Sequence, residues 1–168
     1  MASTARKVRR LAEKKVAKTQ KGSKTMVRRY ITLVADIAVM ALDGKRPYLR
    51  ESDGSMKPTI SHREFIITRT ADATFSTLGM AGIVSASAIR ISVDKLGPGD
   101  VLELDQDDWQ RLVEATEKPK QLGGDGRIVE TGYDGVAGPQ LVPFARAIKE
   151  ASLEDPRKKA APAEDAPK

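Results

Sequence analysis

The chain has no cysteine in its 168 residues. That excludes disulfides, thiolate metal sites and thiol catalysis, and it fits a reducing compartment. Histidine is nearly absent too, with one copy, His62. Aromatic residues make up 4% of the chain: Tyr30, Tyr48, Phe65, Phe75, Trp109, Tyr133 and Phe144. A core built from this sequence must therefore rest on Ile, Leu, Val, Met and Ala. Long apolar runs are missing. The longest apolar-rich segment, Ile31 to Leu42, contains Asp36 and falls short of the roughly 18 apolar residues of a membrane span. The basic N-terminus is not followed by an apolar segment of the kind a secretory signal needs. Synthesis inside the cell and no membrane partner are the expectations.

What the chain has in excess is positive charge, in one place. Residues 1–29 hold eleven Lys/Arg against one acid, Glu13, a net +10. The remaining residues, with 18 bases against 22 acids, carry −4. The basic character thus belongs to an arm and not to the body. Arg6, Lys7, Arg9, Arg10, Lys14, Lys15, Lys18, Lys21, Lys24, Arg28 and Arg29 are its cations. They can neutralise phosphates and release counterions from DNA or RNA. No aromatic precedes Tyr30, so base stacking is not on offer and binding would ignore sequence. An acidic protein surface would attract the same arm. Val8, Leu11 and Val16 form too thin an apolar stripe to fold alone, so the arm is expected to be disordered by itself and to become helical on a partner. Residues 154–168, with Pro156, Pro162 and Pro167 among alanines and charges, read as a disordered, solvated tail.

Between these ends lies an expected single α+β domain, residues 30–153: a small antiparallel sheet or meander packed with about four helices. Residues 30–42 fit both periods. Ile31, Leu33, Ala35, Ile37 and Val39 alternate as in a strand; Tyr30, Leu33, Val34, Ile37 and Met40 follow a helical spacing. Asp43-Gly44 and Asp53-Gly54 are turn pairs and favour a meander over 30–59. Ser61 and Glu64 make a capping box, with Ile60 and Phe65 at the staple positions, so a helix should begin at His62. Ser76 is expected to cap a longer helix that buries Met80, Ile83, Val84, Ser87 and Ile91 and ends at Gly97-Pro98-Gly99. Val101 to Leu104 reads as a strand. Asp105 caps the helix after it, with Asp107 and Asp108 in its first turn and Trp109, Leu112, Val113 and Thr116 on its inner face. Residues 120–138 hold six glycines and read as a long mobile loop. Leu141, Phe144, Ala145 and Ile148 face inward from the last helix.

No constellation of catalytic residues emerges. His62, at an expected first-turn surface position, lacks the further ligands a metal site requires. Asp105, Asp107 and Asp108 begin like a calcium loop, but Gln110 and Thr116 stand where Gly and Glu are needed. Gly123-Gly124-Asp125-Gly126-Arg127 lacks the Lys and Ser/Thr of a phosphate-binding loop. Ser61, His62 and Glu64 have the residue types of a hydrolase triad without a nucleophile elbow. The expectation is no enzyme, no cofactor and no metal.

The succession "RRYITLVADIAVMALDG", "SHREFI", "ASAIRISVDKL", "LELDQDDWQRLVEA" and "LVPFARAIKEA" resembles small tailed-bacteriophage proteins encoded among head–tail morphogenesis genes. The likeness runs over roughly residues 28–151. It implies a virion or assembly protein in the host cytoplasm or the virion. Its partners would be other such proteins or further copies of itself, with DNA or RNA reached through the arm.

Overall fold

The computed structural model describes residues 2–20, 27–50 and 53–159. The fold is α+β. Among the described residues the helices are α1 (Ala2–Gln20), α2 (His62–Arg69), α3 (Ala73–Ser76), α4 (Gly79–Val93), α5 (Gln106–Glu117), α6 (Ala137–Gln140), α7 (Val142–Lys149) and α8 (Pro156–Lys159). The strands are β1 (Arg28–Thr32), β2 (Leu49–Arg50), β3 (Met56–Lys57), β4 (Val101–Asp105), β5 (Lys120–Leu122) and β6 (Ile128–Glu130). They form three antiparallel pairs: β1 with β4, β2 with β3, and β5 with β6.

β1 pairs with β4, so that Ile31 lies opposite Leu102 and Tyr30 opposite Glu103. Ile31, Leu102 and Leu104 are all buried, because alternate residues of a strand share a face. On its other edge β1 exchanges backbone hydrogen bonds with Ser152, both at 2.9 Å. The expected meander is therefore corrected in part. Asp53-Gly54 does close the β2–β3 hairpin, and Asp43-Gly44 does turn the chain between Met40 and Pro47. The strand from Arg28, however, passes over this neighbouring segment for a distant partner. Pro47 has no amide to donate, whereas β4 offers Leu102 and Leu104 to the core.

The capping box is present. The Glu64 amide donates to Ser61 Oγ at 3.1 Å, and the Ser61 amide donates to Glu64 Oε2 at 3.0 Å. The next helix start differs from expectation. Asp72 caps α3, its Oδ1 accepting from the Thr74 amide at 2.8 Å. Ser76 closes α3, and α4 begins at Gly79 with no side-chain cap. The buried face of α4 is reversed as well. Gly82, Ser85, Ala86, Ile89 and Val93 point inward, while Met80, Ile83 and Ile91 are 40–45% exposed. Close approach explains the choice. The α3–α4 turn presses on Gly82 so tightly that a Cβ there would collide with the Phe75 carbonyl oxygen. Only the small-residue face fits.

Asp105 caps α5 as expected, its Oδ1 accepting from the Asp108 amide at 2.8 Å. The stretch read as a mobile loop contains the β5–β6 hairpin. Gly126 turns it with a φ of +78°, and Asp72 Oδ2 anchors it by accepting from the Lys120 amide at 2.6 Å. The tail expected from residue 154 is ordered as far as Lys159: α8 brings Arg157 to Glu103 at 3.2 Å. Residues 160–168 lie outside the described residues.

The core joins Ile31, Ile66, Ile89, Leu102, Leu112 and Ile148 with the three phenylalanines, Phe65, Phe75 and Phe144. Each Phe is at most 2% exposed, whereas Tyr133 is 37% exposed and Tyr30, Tyr48 and Trp109 are half-buried. Met56 and Met80 are instead 44% and 45% exposed. No helix among the described residues is long and apolar enough to cross a membrane.

Candidate functional site

The basic arm is the feature that sequence reasoning singled out, and most of it is a helix. α1 lies against α4 and touches β4, which corrects the expectation of disorder. The helix gains a buried face it would not have in isolation. Ala12 is fully buried there, with Val8, Lys15 and Val16 half-buried. At about 100° per residue, Arg6, Lys7, Arg10 and Lys14 gather within about 100° of arc on the opposite side. All four are exposed. Arg9 is exposed too and pairs with Glu13 at 2.9 Å.

The other arm cations part company with these. Lys15 reaches inward, its Nζ 2.7 Å from Asp108 Oδ1 and 3.5 Å from Asp105 Oδ2. Arg28 pairs with Glu103 across the β1–β4 ladder. Arg29 donates from Nε to Gln106 Oε1 at 2.8 Å, and its guanidinium lies 4.2 Å from the centre of the Trp109 ring. These three hold the body together and are not free to meet phosphates. Lys18 falls in the last turn of α1; Lys21 and Lys24 lie outside the described residues.

The seat that receives Lys15 is a buried polar cluster. Asp105 and Asp108 are each 4% exposed. Asp105 is fixed by its capping role, which leaves Oδ2 turned toward Lys15. Asp108 Oδ1 accepts from Lys15, from Ser85 Oγ of α4, and from Arg111 Nη1 at 3.2 Å. Burial pushes the Asp108 carboxyl above its ordinary range, and the hydrogen bonds from Lys15 and Ser85 oppose the shift. Two buried carboxylates thus meet two cations and a hydroxyl, the arrangement that keeps buried charge tolerable. A cavity of about 420 Å³ opens beside them, lined by Lys15, Ser92, Glu103, Asp105, Asp108 and Arg157 among others. The cluster escaped sequence reading. Its trace was Lys15 inside the Val8–Ala12–Val16 stripe, and Ser85 and Asp108 on faces that turn inward.

His62 is the second correction. It is 1% exposed, not a surface residue. Its ring stacks on Phe144, centroids 4.8 Å apart and planes within 3°. Nδ1 accepts from the Val34 amide at 3.1 Å, which puts the proton of the neutral ring on Nε2. Burial lowers its pKa to about 4, with weak opposition from the Phe144 backbone. The residue also borders a cavity of about 180 Å³, with Val34, Asp36, Ser61 and Arg63 among its other lining residues.

The remaining candidates do not converge. Ser61 Oγ and Glu64 bond each other while His62 turns into the core. Asp107 is exposed, away from Asp105 and Asp108, which are buried. Among the described residues no group of three or more His, Asp or Glu side chains is placed to hold a metal ion. Gly123 to Arg127 forms the β5–β6 turn and opens no helix. Comparison with known protein families, curated proteins and solved structures returned no match to this chain.

Proposed function

We propose that this chain is a non-enzymatic structural or assembly protein of a tailed bacteriophage, acting through protein–protein contacts in the host cytoplasm or the virion. The observation that carries the reading is the outward face of α4. Met80, Ile83 and Ile91 stand 40–45% exposed, side by side on a regular helix and next to Val8 of α1. A contiguous apolar patch on a small protein marks a contact surface. The likeness of "LELDQDDWQRLVEA" and its companion strings to head–tail morphogenesis proteins supplies the setting. The test is co-purification. The tagged chain is expressed with the other structural genes of its phage, and particles and assembly intermediates are isolated. The chain is expected in one of them, and Ile83→Asp is expected to release it. Its absence from every particle and intermediate would overturn the reading.

The exposed cationic face of α1 favours a second reading, a sequence-independent phosphate clamp. Among the arm residues whose side chains are described, Arg6, Lys7, Arg10 and Lys14 form an exposed basic row. Each contact with duplex DNA adds about −0.9 to the log–log salt slope. Changing these four to Gln should flatten the slope by about 3 to 4, whereas changing Arg28 and Arg29 should leave it alone. An unchanged slope in the four-fold variant would refute the clamp.

A further inference from the structure

The uncovered face of α4 forms one wall of a groove of about 570 Å³ that Val8 of α1 closes on the other side. Met80, Ile83, Ser87 and Ile91 follow at i, i+3, i+7 and i+11, the row by which one helix offers a ridge to another. The row is about 16 Å long, roughly three helical turns. Its floor is apolar and its charged neighbours are cations: Arg9 on the α1 flank and Arg90 on α4. α4 itself contains no acid. The one acid close by on α1, Glu13, is held by Arg9 in a pair whose side chains are 80% and 50% exposed. Such a surface pair is weak, so a carboxylate from outside can replace Glu13 at small cost. Arg90 is kept in place by its Nε, which donates to Thr70 Oγ1 at 2.6 Å.

Charge decides what fits. Two copies joined through this face would bring Arg9 and Arg90 of one against the same residues of the other, like charges around an apolar centre. A helix with an apolar stripe flanked by Asp and Glu meets both demands of the groove. We infer that the groove between α1 and α4 docks an acidic amphipathic helix of a partner protein. The inference rests on the protein-contact reading above and names the chemistry of the partner.

The experiment uses the full chain and two fluorescent synthetic peptides of four helical turns. They share one leucine stripe; one carries Glu on its flanks, the other Lys. Anisotropy should show the Glu peptide binding at least about tenfold more tightly than the Lys peptide. Ile83→Asp should abolish binding with the circular dichroism spectrum unchanged, and Arg9→Glu should narrow the preference. Equal binding of the two peptides, or a Glu peptide indifferent to Ile83→Asp, would overturn the inference. So would duplex DNA binding where the Glu peptide does not, which would assign the cations to phosphate. A dimer that Ile83→Asp dissociates would also overturn it, while leaving the protein-contact reading intact. That reading falls separately, by absence from particles and intermediates.

Discussion

Lowering the pH from 7 to 5 should cost this protein roughly 2 kcal/mol of stability through one side chain, His62. The ring is buried against Phe144 and has a pKa of about 4 in the folded chain. An exposed histidine has a pKa near 6.5. Between these values the unfolded chain takes up a proton that the folded chain refuses, so acid favours unfolding. Stability is complete above about pH 6.5 and lost as the pH falls toward 4. The whole effect is roughly 3 kcal/mol at 1.36 kcal/mol per pKa unit, about two-thirds of it reached by pH 5. No other histidine contributes, since His62 is the only one. Glu64, whose pKa burial would raise but the hydrogen bonds from Lys57 and the Ser61 backbone together hold below its ordinary value, loses its contribution only at lower pH. Asp108 has the opposite sign, since burial raises its pKa and the folded chain holds that proton more firmly than the unfolded one. Urea denaturation at pH 7 and pH 5, at equal ionic strength, measures the difference. His62→Asn is the control: its Oδ1 can still accept from the Val34 amide, but the side chain does not titrate. The wild type should lose about 2 kcal/mol over this range and the variant much less. Equal losses in the two proteins would refute the reasoning.

Gly82→Ala should destabilise the fold by about 2 kcal/mol or more, although Gly to Ala in an unobstructed helix stabilises; a urea midpoint at or above wild type would contradict the close approach of the Phe75 carbonyl. Lys15→Met removes a cation from two buried carboxylates and should cost about 1–3 kcal/mol. Because Lys15 ties α1 to the body, amide exchange within residues 2–20 should accelerate more than exchange in the core. Adding Asp108→Asn to Lys15→Met should recover part of the loss; a purely additive double variant would deny the pair. Asp105→Ala removes the α5 cap and should lower stability by about 1 kcal/mol, read as a shift in thermal midpoint.

Much of the local structure was legible because short-range chemistry specifies it. The Ser61–Glu64 box starts α2, Asp105 starts α5, and the two Asp-Gly pairs turn the chain where they stand. Each depends on atoms within four residues of one another, so no partner has to be known. α4 was misread for a physical reason. Two stripes run along it at the same helical spacing, one of Met80, Ile83 and Ile91, the other of Gly82, Ser85, Ala86 and Ile89. Periodicity ranks the larger side chains as core, whereas close packing selected the smaller ones. His62 was placed at the right helix position but on the wrong side of the surface. A first-turn residue faces inward when a neighbour such as Phe144 waits across the interface, and nothing near it in the chain says so.

The sequence alone determined where charge lies, that Ser61 and Asp105 cap α2 and α5, that Asp43-Gly44 and Asp53-Gly54 turn the chain, and that thiol chemistry is absent. These properties follow from composition and from contacts between near neighbours. Tertiary structure decided which strand β1 joins, which face of α4 is buried, and that residues 2–20 of the basic arm form a helix with Lys15 locked onto Asp105 and Asp108. It also sorted the arm's cations into those that hold the body together and the four that line the free face of α1. Each of these depends on residues far apart in the chain meeting at fixed distance, and only the packing of the whole chain sets that distance.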